Sequence, residues 1–511
     1  MATEFNGLLT ATVFLPAAGA VLLLLVPNRM GGSDRVIRGV AVAVAVADLV
    51  LALLVFAFFD RGGDAARFQF VDQFAWIPDI GLKASYLLAV DGLSAPLVAL
   101  TGLLGLCAVL ASWHITLRVK EYFFWLLLLQ AAVMGVFTSL DLLLFFLFWE
   151  LELVPMYMLI SIWGSGRKEY SAMKFLIFTI LGSAFMLVAI VAVFLTPDVG
   201  TFNLIELSGP GAILATAATL IPLAWLFWLF FVAFAVKLPT WPLHTWLPDA
   251  HTDAPTAASV MLAGVLLKMG GYGLLRVNVG LFPNQTEQFA WVLVILGVVS
   301  VLYGAVVTMR QTDLKRLIAY SSVSHMGLVL LGIGSVGVST GSLTVTGLSG
   351  AAMQLFTHGT ITGLLFLAVG IVYEKAHTRY IPDLGGLAGR MPFVAAAMLI
   401  AGLASLGLPG MSGFVSELLV FLGAFRAYDW PTVLAVLGIV LAAGYILWMM
   451  ERTFFGAQRE RFADLTDASL VEAVPLALMV VCIIGIGVYP ALLTDVFDSA
   501  LEPMIQAING G

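Results

Sequence analysis

Four charged residues stand where hydrocarbon-grade sequence leaves them no ordinary role: Lys237, Lys268, Glu150 and Glu417. A charge at bilayer depth costs a few kcal/mol or more, so each is a functional candidate by default. Lys237 closes the apolar run Leu223–Val236, and Pro239 follows two residues later. Pro239 offers no N–H and clashes with the preceding turn, which predicts a broken helix beside the lysine. Such a break is tolerated in a membrane only where protein or a water-filled cavity satisfies the freed backbone groups. Lys268 lies midway through an apolar run flanked by small residues, too deep to snorkel easily. In Phe145-Phe-Leu-Phe-Trp-Glu150-Leu-Glu152-Leu-Val-Pro155 the two glutamates are about 200° apart around a helix, so only one can face the bundle interior. Glu150 is assigned to pair with Lys237, and Glu152 to cap the chain beside Pro155. Glu417 follows a second Pro/Gly interruption, Leu406-Gly-Leu-Pro409-Gly-Met-Ser-Gly413. Four histidines, His244, His251, His325 and His358, lie near the first break or in later runs. Imidazole can pass a proton through both nitrogens, and an acid–lysine pair can hold or release one, so the set suits a proton relay. The bland reading stands beside it: any one histidine equally suits a helix-to-helix hydrogen bond, and Lys268 a structural ion pair. Asp48 is a lesser candidate of that kind.

These groups need elements to hold them. The chain has 511 residues, 61% hydrophobic and 11% charged, against about 25% charged in soluble proteins. That composition excludes a soluble enzyme and predicts an all-α polytopic membrane protein, one membrane domain over 1–511. Runs near the 20 or so residues that cross a bilayer recur about fourteen times: 8–26, 36–58, 88–112, 121–138, 141–163, 171–195, 217–237 (brokenly to 250), 255–278, 288–308, 316–335, 346–373, 392–424 (interrupted), 431–454 and 471–490. The largest piece outside them, Asp60 to Ser85, is too short for a catalytic domain. Broken helices near 237–242 and 408–413 occupy corresponding places in two halves, approximately 121–278 and 288–454. That layout predicts two inverted five-helix repeats. Sorting Lys and Arg by loop puts 17 of the 24 on the side opposite the N-terminus, Arg29 among them, and 5 on the N-terminal side. Lys237 and Lys268 are the remaining two. The excess marks the cytoplasmic face, so both termini are expected outside. The first run lacks a basic preceding region and reads as a retained helix. Cys107 and Cys482 offer neither a disulfide framework nor a metal site, and no phosphate-cradling or dinucleotide fingerprint appears. No cofactor or metal and no nucleic-acid contact is expected of this chain.

Lys237-Leu-Pro-Thr-Trp-Pro-Leu-His244-Thr-Trp-Leu-Pro-Asp-Ala-His251, Leu266-Leu-Lys268-Met-Gly-Gly-Tyr-Gly and Asp313-Leu-Lys-Arg-Leu-Ile-Ala-Tyr-Ser-Ser-Val-Ser-His325 resemble the proton-translocating antiporter-like subunits of respiratory complex I. The resemblance covers nearly the whole chain. Glu417 departs from sister subunits and from cation/proton antiporter subunits, which usually carry lysine there. The chain also ends after its fourteenth run, without the long lateral helix of one sister subunit. The resemblance implies that Glu150 and Lys237 form an ion pair, with Lys268 as central relay and Glu417 as terminal group. His325, and secondarily His244, His251 and His358, would line the path. It implies a subunit of an NADH–quinone oxidoreductase, beside neighbouring antiporter-like subunits in a bacterial plasma membrane. NADH, FMN, iron–sulfur clusters and quinone would belong to partner subunits. The rivals are a cation/proton antiporter subunit of Mrp type, a membrane subunit of an energy-converting hydrogenase, and a plain membrane anchor.

Overall fold

A computed structural model describes residues 5–27, 33–62, 67–77, 83–208, 214, 217–336 and 345–509. Arg29, counted among the basic-face residues, lies outside them. Among the described residues eleven helices are long and apolar enough to cross a membrane: α1 (Leu8–Leu25), α2 (Ser33–Ala57), α4 (Val119–Thr138), α5–α6 (Leu142–Trp163), α7 (Lys168–Phe194), α10 (Thr256–Val279), α11 (Ala290–Thr308), α12 (Leu314–Gly334), α13 (Val345–Ala376), α16 (Asp429–Phe455) and α17 (Leu470–Val488). Three shorter apolar helices complete fourteen crossings, α3 (Ala95–Ala111), α8 (Leu223–Lys237) and α14 (Pro392–Ser405). α8 resumes as α9 (Trp246–Asp253) and α14 as α15 (Ser412–Ala427).

The interrupted crossings are the fourth of crossings 4–8 and the fourth of crossings 9–13. Each set has five members, an odd number, so the second set enters the bilayer from the opposite side to the first. The inverted layout thus follows from the count. α10 and α13 form the buried axis, enclosed by the rest of the bundle. α13 has 32 residues, about 48 Å of helix, well beyond a ~30 Å hydrocarbon core.

Three features depart from the sequence expectations. The piece from Asp60 to Ser85, for which no element was expected, contributes to a strand pair: β1 (Gln69–Ile77) runs antiparallel to β2 (Ala84–Val90). The third crossing accordingly begins at Ala95, because its expected start at 88 is strand. A helix also follows the fourteenth crossing, α18 (Ala491–Asn509), packed on α13 and tied to it through Ser349 and Asp498.

Buried polar groups fix how the outer elements meet. Asp91 caps the turn into α3 by accepting from the N–H groups of Leu93 and Ser94 at 3.0 and 3.2 Å. The same carboxylate takes Arg276 from α10 through two bonds, at 2.7 and 2.5 Å. Arg276 also donates to the Tyr272 hydroxyl at 3.2 Å. Asp141 caps α5 through Leu143 and Leu144, and accepts from Ser85 of β2 at 3.0 Å through the backbone N–H. A two-armed acid can thus end one helix and fasten another in a single burial.

Candidate proton-transfer site

The break after α8 is built so that few backbone groups are left open. Pro239 cannot donate, and the chain turns so that Thr240 N–H reaches the Ala235 carbonyl at 2.9 Å. The Val236 carbonyl, which Thr240 would serve in a continuous helix, instead accepts the indole N–H of Trp246 at 2.9 Å. Trp241 N–H is taken by Ser300 Oγ of α11 at 3.0 Å. The lysine therefore sits at a helix end whose carbonyls are satisfied by protein.

Lys237 is buried and its ammonium is bound by the Glu152 carboxylate. The rings of Trp149 and Phe175 lie 5.3 and 5.6 Å from it. This corrects the expected contact pair: Glu152, not Glu150, touches the lysine. The physical reason lies in Pro155, whose missing N–H leaves the Leu151 carbonyl without its helical donor. The crossing divides there into α5 (Leu142–Leu151) and α6 (Leu153–Trp163), with Glu152 at the joint and turned inward. Glu150, on the other side of the helix, is half-buried beside Ser183 of α7 and acts on Lys237 through space. The proline that suggested a passive cap is what aims Glu152 at the lysine.

Lys268 lies on α10 between two π-helical turns, Leu262–Leu266 and Leu274–Val279. In the first, Leu267 N–H bonds the Leu262 carbonyl, which frees the Ala263 carbonyl to accept from Lys268 Nζ. Such single-turn bulges concentrate at functional sites. Lys268 Nζ is also 2.7 Å from His358 Nδ1 of α13. The α8 and α10 lysines stand on adjoining helices. A Cβ at Gly270 would come within 2.6 Å of Leu238 N, so the glycine permits the close approach.

From Lys268 the titratable groups continue as near neighbours, with His358 Nε2 left without a hydrogen-bond partner among the described residues. The His358 and His325 rings have centroids 5.7 Å apart. His325 Nε2 is 3.1 Å from Ser405 Oγ, and Nδ1 is 3.4 Å from Glu417 Oε1. A void of about 10 Å³, room for one water, is lined by His325, Ser324, Glu417 and Gly438. At the second break Gly407 has φ +76°, and a Cβ there would lie 2.6 Å from Glu417 Oε2. Glycine thus lets the carboxylate reach the broken segment.

The expected histidines do not all join this line. His251 stacks on Phe366 at 4.6 Å with both ring nitrogens unpartnered, and interacts electrostatically with Lys268, Lys315 and His358. His244 instead lies against Tyr303, 5.0 Å between centroids, near Lys174. Sequence reasoning missed Lys315, read as a loop residue but buried, and Tyr445, a buried hydroxyl facing Glu417 without a partner. Both needed tertiary packing to be seen. Asp48 takes Gln130 of α4 at 2.5 Å and stands apart from the line. Among the described residues no group of three or more His, Cys, Asp or Glu is placed to hold a metal ion.

Residues 139–442 match the model of the NADH:quinone oxidoreductase/Mrp antiporter transmembrane family. NAD(P)H-quinone oxidoreductase chain 4 of Synechococcus elongatus is 45% identical over 527 residues, covering 99% of this chain and 93% of that protein. NADH-quinone oxidoreductase subunit M of Rhodobacter capsulatus is 42% identical over 513 residues, with 98% and 97% covered. Among solved structures, a chain of respiratory complex I from Thermus thermophilus with bound NADH superposes with TM-score 0.85 at 31% identity, covering 98% of this chain and 99% of that one.

Proposed function

Because the chain belongs to the NADH:quinone oxidoreductase/Mrp antiporter transmembrane family, we propose that it is a proton-translocating membrane subunit, the counterpart of subunit M, in an NADH–quinone oxidoreductase. The observation that carries this reading is the buried succession of neighbouring groups Lys268, His358, His325 and Glu417. An acid, two imidazoles and a lysine set as neighbours across the centre of a membrane bundle form a wire for protons. Lys237 with Glu152, and Glu150 beside it, is the switch. Separating the pair removes the charge that holds the proton on Lys237, and re-pairing restores it. A proton released toward Lys268 passes to His358, then His325, then Glu417 and out along the second break. Oxidation of NADH and reduction of quinone belong to partner subunits, as do the flavin and iron–sulfur centres those reactions need.

The excess of Lys and Arg on one face supports both termini outside, and the bacterial relatives support a plasma-membrane placement. The two halves, 121–278 and 288–454, are the repeat units: the first supplies Glu150, Glu152, Lys237 and Lys268 with one broken helix, the second His325, His358 and Glu417 with the other.

Lys268→Met in the intact complex, reconstituted in vesicles, tests the reading. The methionine keeps the bulk and removes the protonable amine. NADH oxidation in uncoupled vesicles should persist while protons pumped per NADH fall. Undiminished pumping in an assembled Lys268→Met complex overturns it.

A further inference from the structure

α15 has to present Glu417 at a fixed height, yet the helix begins without the usual means of fixing its start. It resumes at Ser412 after the Pro409–Gly410 interruption, and its N-cap residue Met411 supplies no side-chain cap. Ser412 Oγ is buried with no hydrogen-bond partner among the described residues. A helix start without a cap leaves its first N–H groups open and is readily displaced. Glu417 has little hold of its own. Its Oε2 is buried without a hydrogen-bond partner among the described residues, and Oε1 is 3.4 Å from His325 Nδ1, beyond a good hydrogen bond. The acid takes its position from the helix that carries it.

One residue before the acid, Ser416 ties α15 to α13. Its hydroxyl donates to Gln354 Oε1 at 2.5 Å, and the Thr357 hydroxyl lies 3.0 Å away. All three side chains are buried. The single hydrogen of Ser416 goes to the glutamine, so Thr357 donates in the second bond. The Gly413 carbonyl of α15 lies 3.0 Å from the same oxygen as a further acceptor. Gln354 precedes His358 by four residues and Thr357 by one, so both belong to the turn of α13 that carries the relay imidazole. One and two turns further along α15 the backbones nearly touch. A Cβ at Gly350 would lie 2.4 Å from Val420 N, and one at Gly423 would lie 2.4 Å from Gly347 Cα. Small residues bring membrane helices close, and hydrogen bonds between side chains then fix one helix against the other.

We propose that Ser416 is a positioning residue for proton transfer: with Gln354 and Thr357 it locks Glu417 to the His358 turn of α13 and so keeps the acid within reach of His325. The proposal rests on the relay reading above and names what holds its last member in place. Transfer needs donor and acceptor within about 2.6–3.2 Å, or one water between them. The His325–Glu417 pair is already at the edge of that range, and the void beside it has room for a single water. A displacement of about 1 Å at a reacting group costs up to about a hundredfold in rate. Ser416 itself carries none of the protons.

The test uses the intact complex in vesicles, reading protons pumped per NADH and, separately, NADH oxidation in uncoupled vesicles. Ser416→Ala removes the hydroxyl, Gln354→Met removes its acceptor, and Ser416→Thr keeps a hydroxyl in place. Glu417→Gln is the control for the relay, and what it removes defines this subunit's share of pumping. Ser416→Ala and Gln354→Met should each lower that share several-fold while uncoupled NADH oxidation is kept, and Ser416→Thr should retain most of it. Adding Ser416→Ala to Glu417→Gln should cause no further loss, because the serine acts through the acid. If Glu417→Gln loses pumping while Ser416→Ala pumps like the parent, the positioning role is overturned and the relay stands. Ser416→Thr as slow as Ser416→Ala, or uncoupled NADH oxidation falling along with pumping, also overturns it, since the loss is then one of packing. If Glu417→Gln pumps fully, the relay reading itself fails.

Discussion

Glu152→Gln against Glu150→Gln separates contact from distance at the Lys237 switch. Glu152 is fully buried and Lys237 is 1% exposed, with aromatic rings and aliphatic side chains around them. Removing one partner of a buried ion pair leaves the other charge uncompensated, at about 3–5 kcal/mol. At 1.4 kcal/mol per tenfold, the charged form of Lys237 is disfavoured by about two to three and a half orders of magnitude. The neutral lysine then carries no proton to release. Glu150→Gln removes a charge that acts without contact from a half-buried position, so its effect should be smaller than that of Glu152→Gln. The assay is vesicle acidification per NADH oxidised for both single variants and the double. Glu152→Gln should abolish this subunit's share of pumping, Glu150→Gln should reduce it, and the double should match Glu152→Gln alone. If Glu150→Gln abolishes the share and Glu152→Gln leaves it whole, the contact pair is not the switch.

Three further outcomes follow from the geometry. Gly407→Ala places a side chain at φ +76° and against Glu417; it should cost about 1–2 kcal/mol of strain and slow proton release, read as a lowered pumping rate with normal NADH oxidation. Trp246→Phe keeps the ring and removes the N–H that serves the Val236 carbonyl; a loss of about 1–3 kcal/mol should appear as a lower midpoint in thermal unfolding of the complex. Asp91, outside the crossings, is pushed up by burial, but the Arg276 guanidinium, Arg67 and the Ser94 N–H together outweigh this and hold its carboxyl below the usual carboxylate range. Its contribution to stability is therefore complete above about pH 4 and is lost as pH falls through the depressed value. Subunit retention, followed by native electrophoresis, should hold at pH 5 and fail at lower pH; Arg276→Met should remove that acid dependence along with much of the stability.

Much of the scaffold could be read from the chain because each crossing is a long local pattern. Among the described residues each expected apolar run carries a crossing, the third shortened to begin at Ala95, and both breaks fall beside the prolines that require them. What was not legible depends on rotation and on partners distant in sequence. The choice between Glu150 and Glu152 turns on which way a helix faces after Pro155 interrupts it, and two residues of spacing give both answers equally. β1–β2 was hidden because its apolar second strand reads like the start of the next crossing. Lys315 was counted with the loop because the apolar run starts at 316; only packing shows that its amine is buried.

The π-turn at Leu262–Leu266 has a consequence for insertions and deletions. Such a turn accommodates one residue more than α-helical winding would, so the chain beyond it is rotated by about 100° relative to a straight helix. Lys268 meets His358, and Arg276 meets Asp91, in that shifted register. Deleting one residue within 262–266 would leave the crossing as apolar as before and its charges unchanged. It would swing the lysine away from its imidazole and the arginine away from its acid together. The span tolerates many changes of side chain more readily than a change of one in its length.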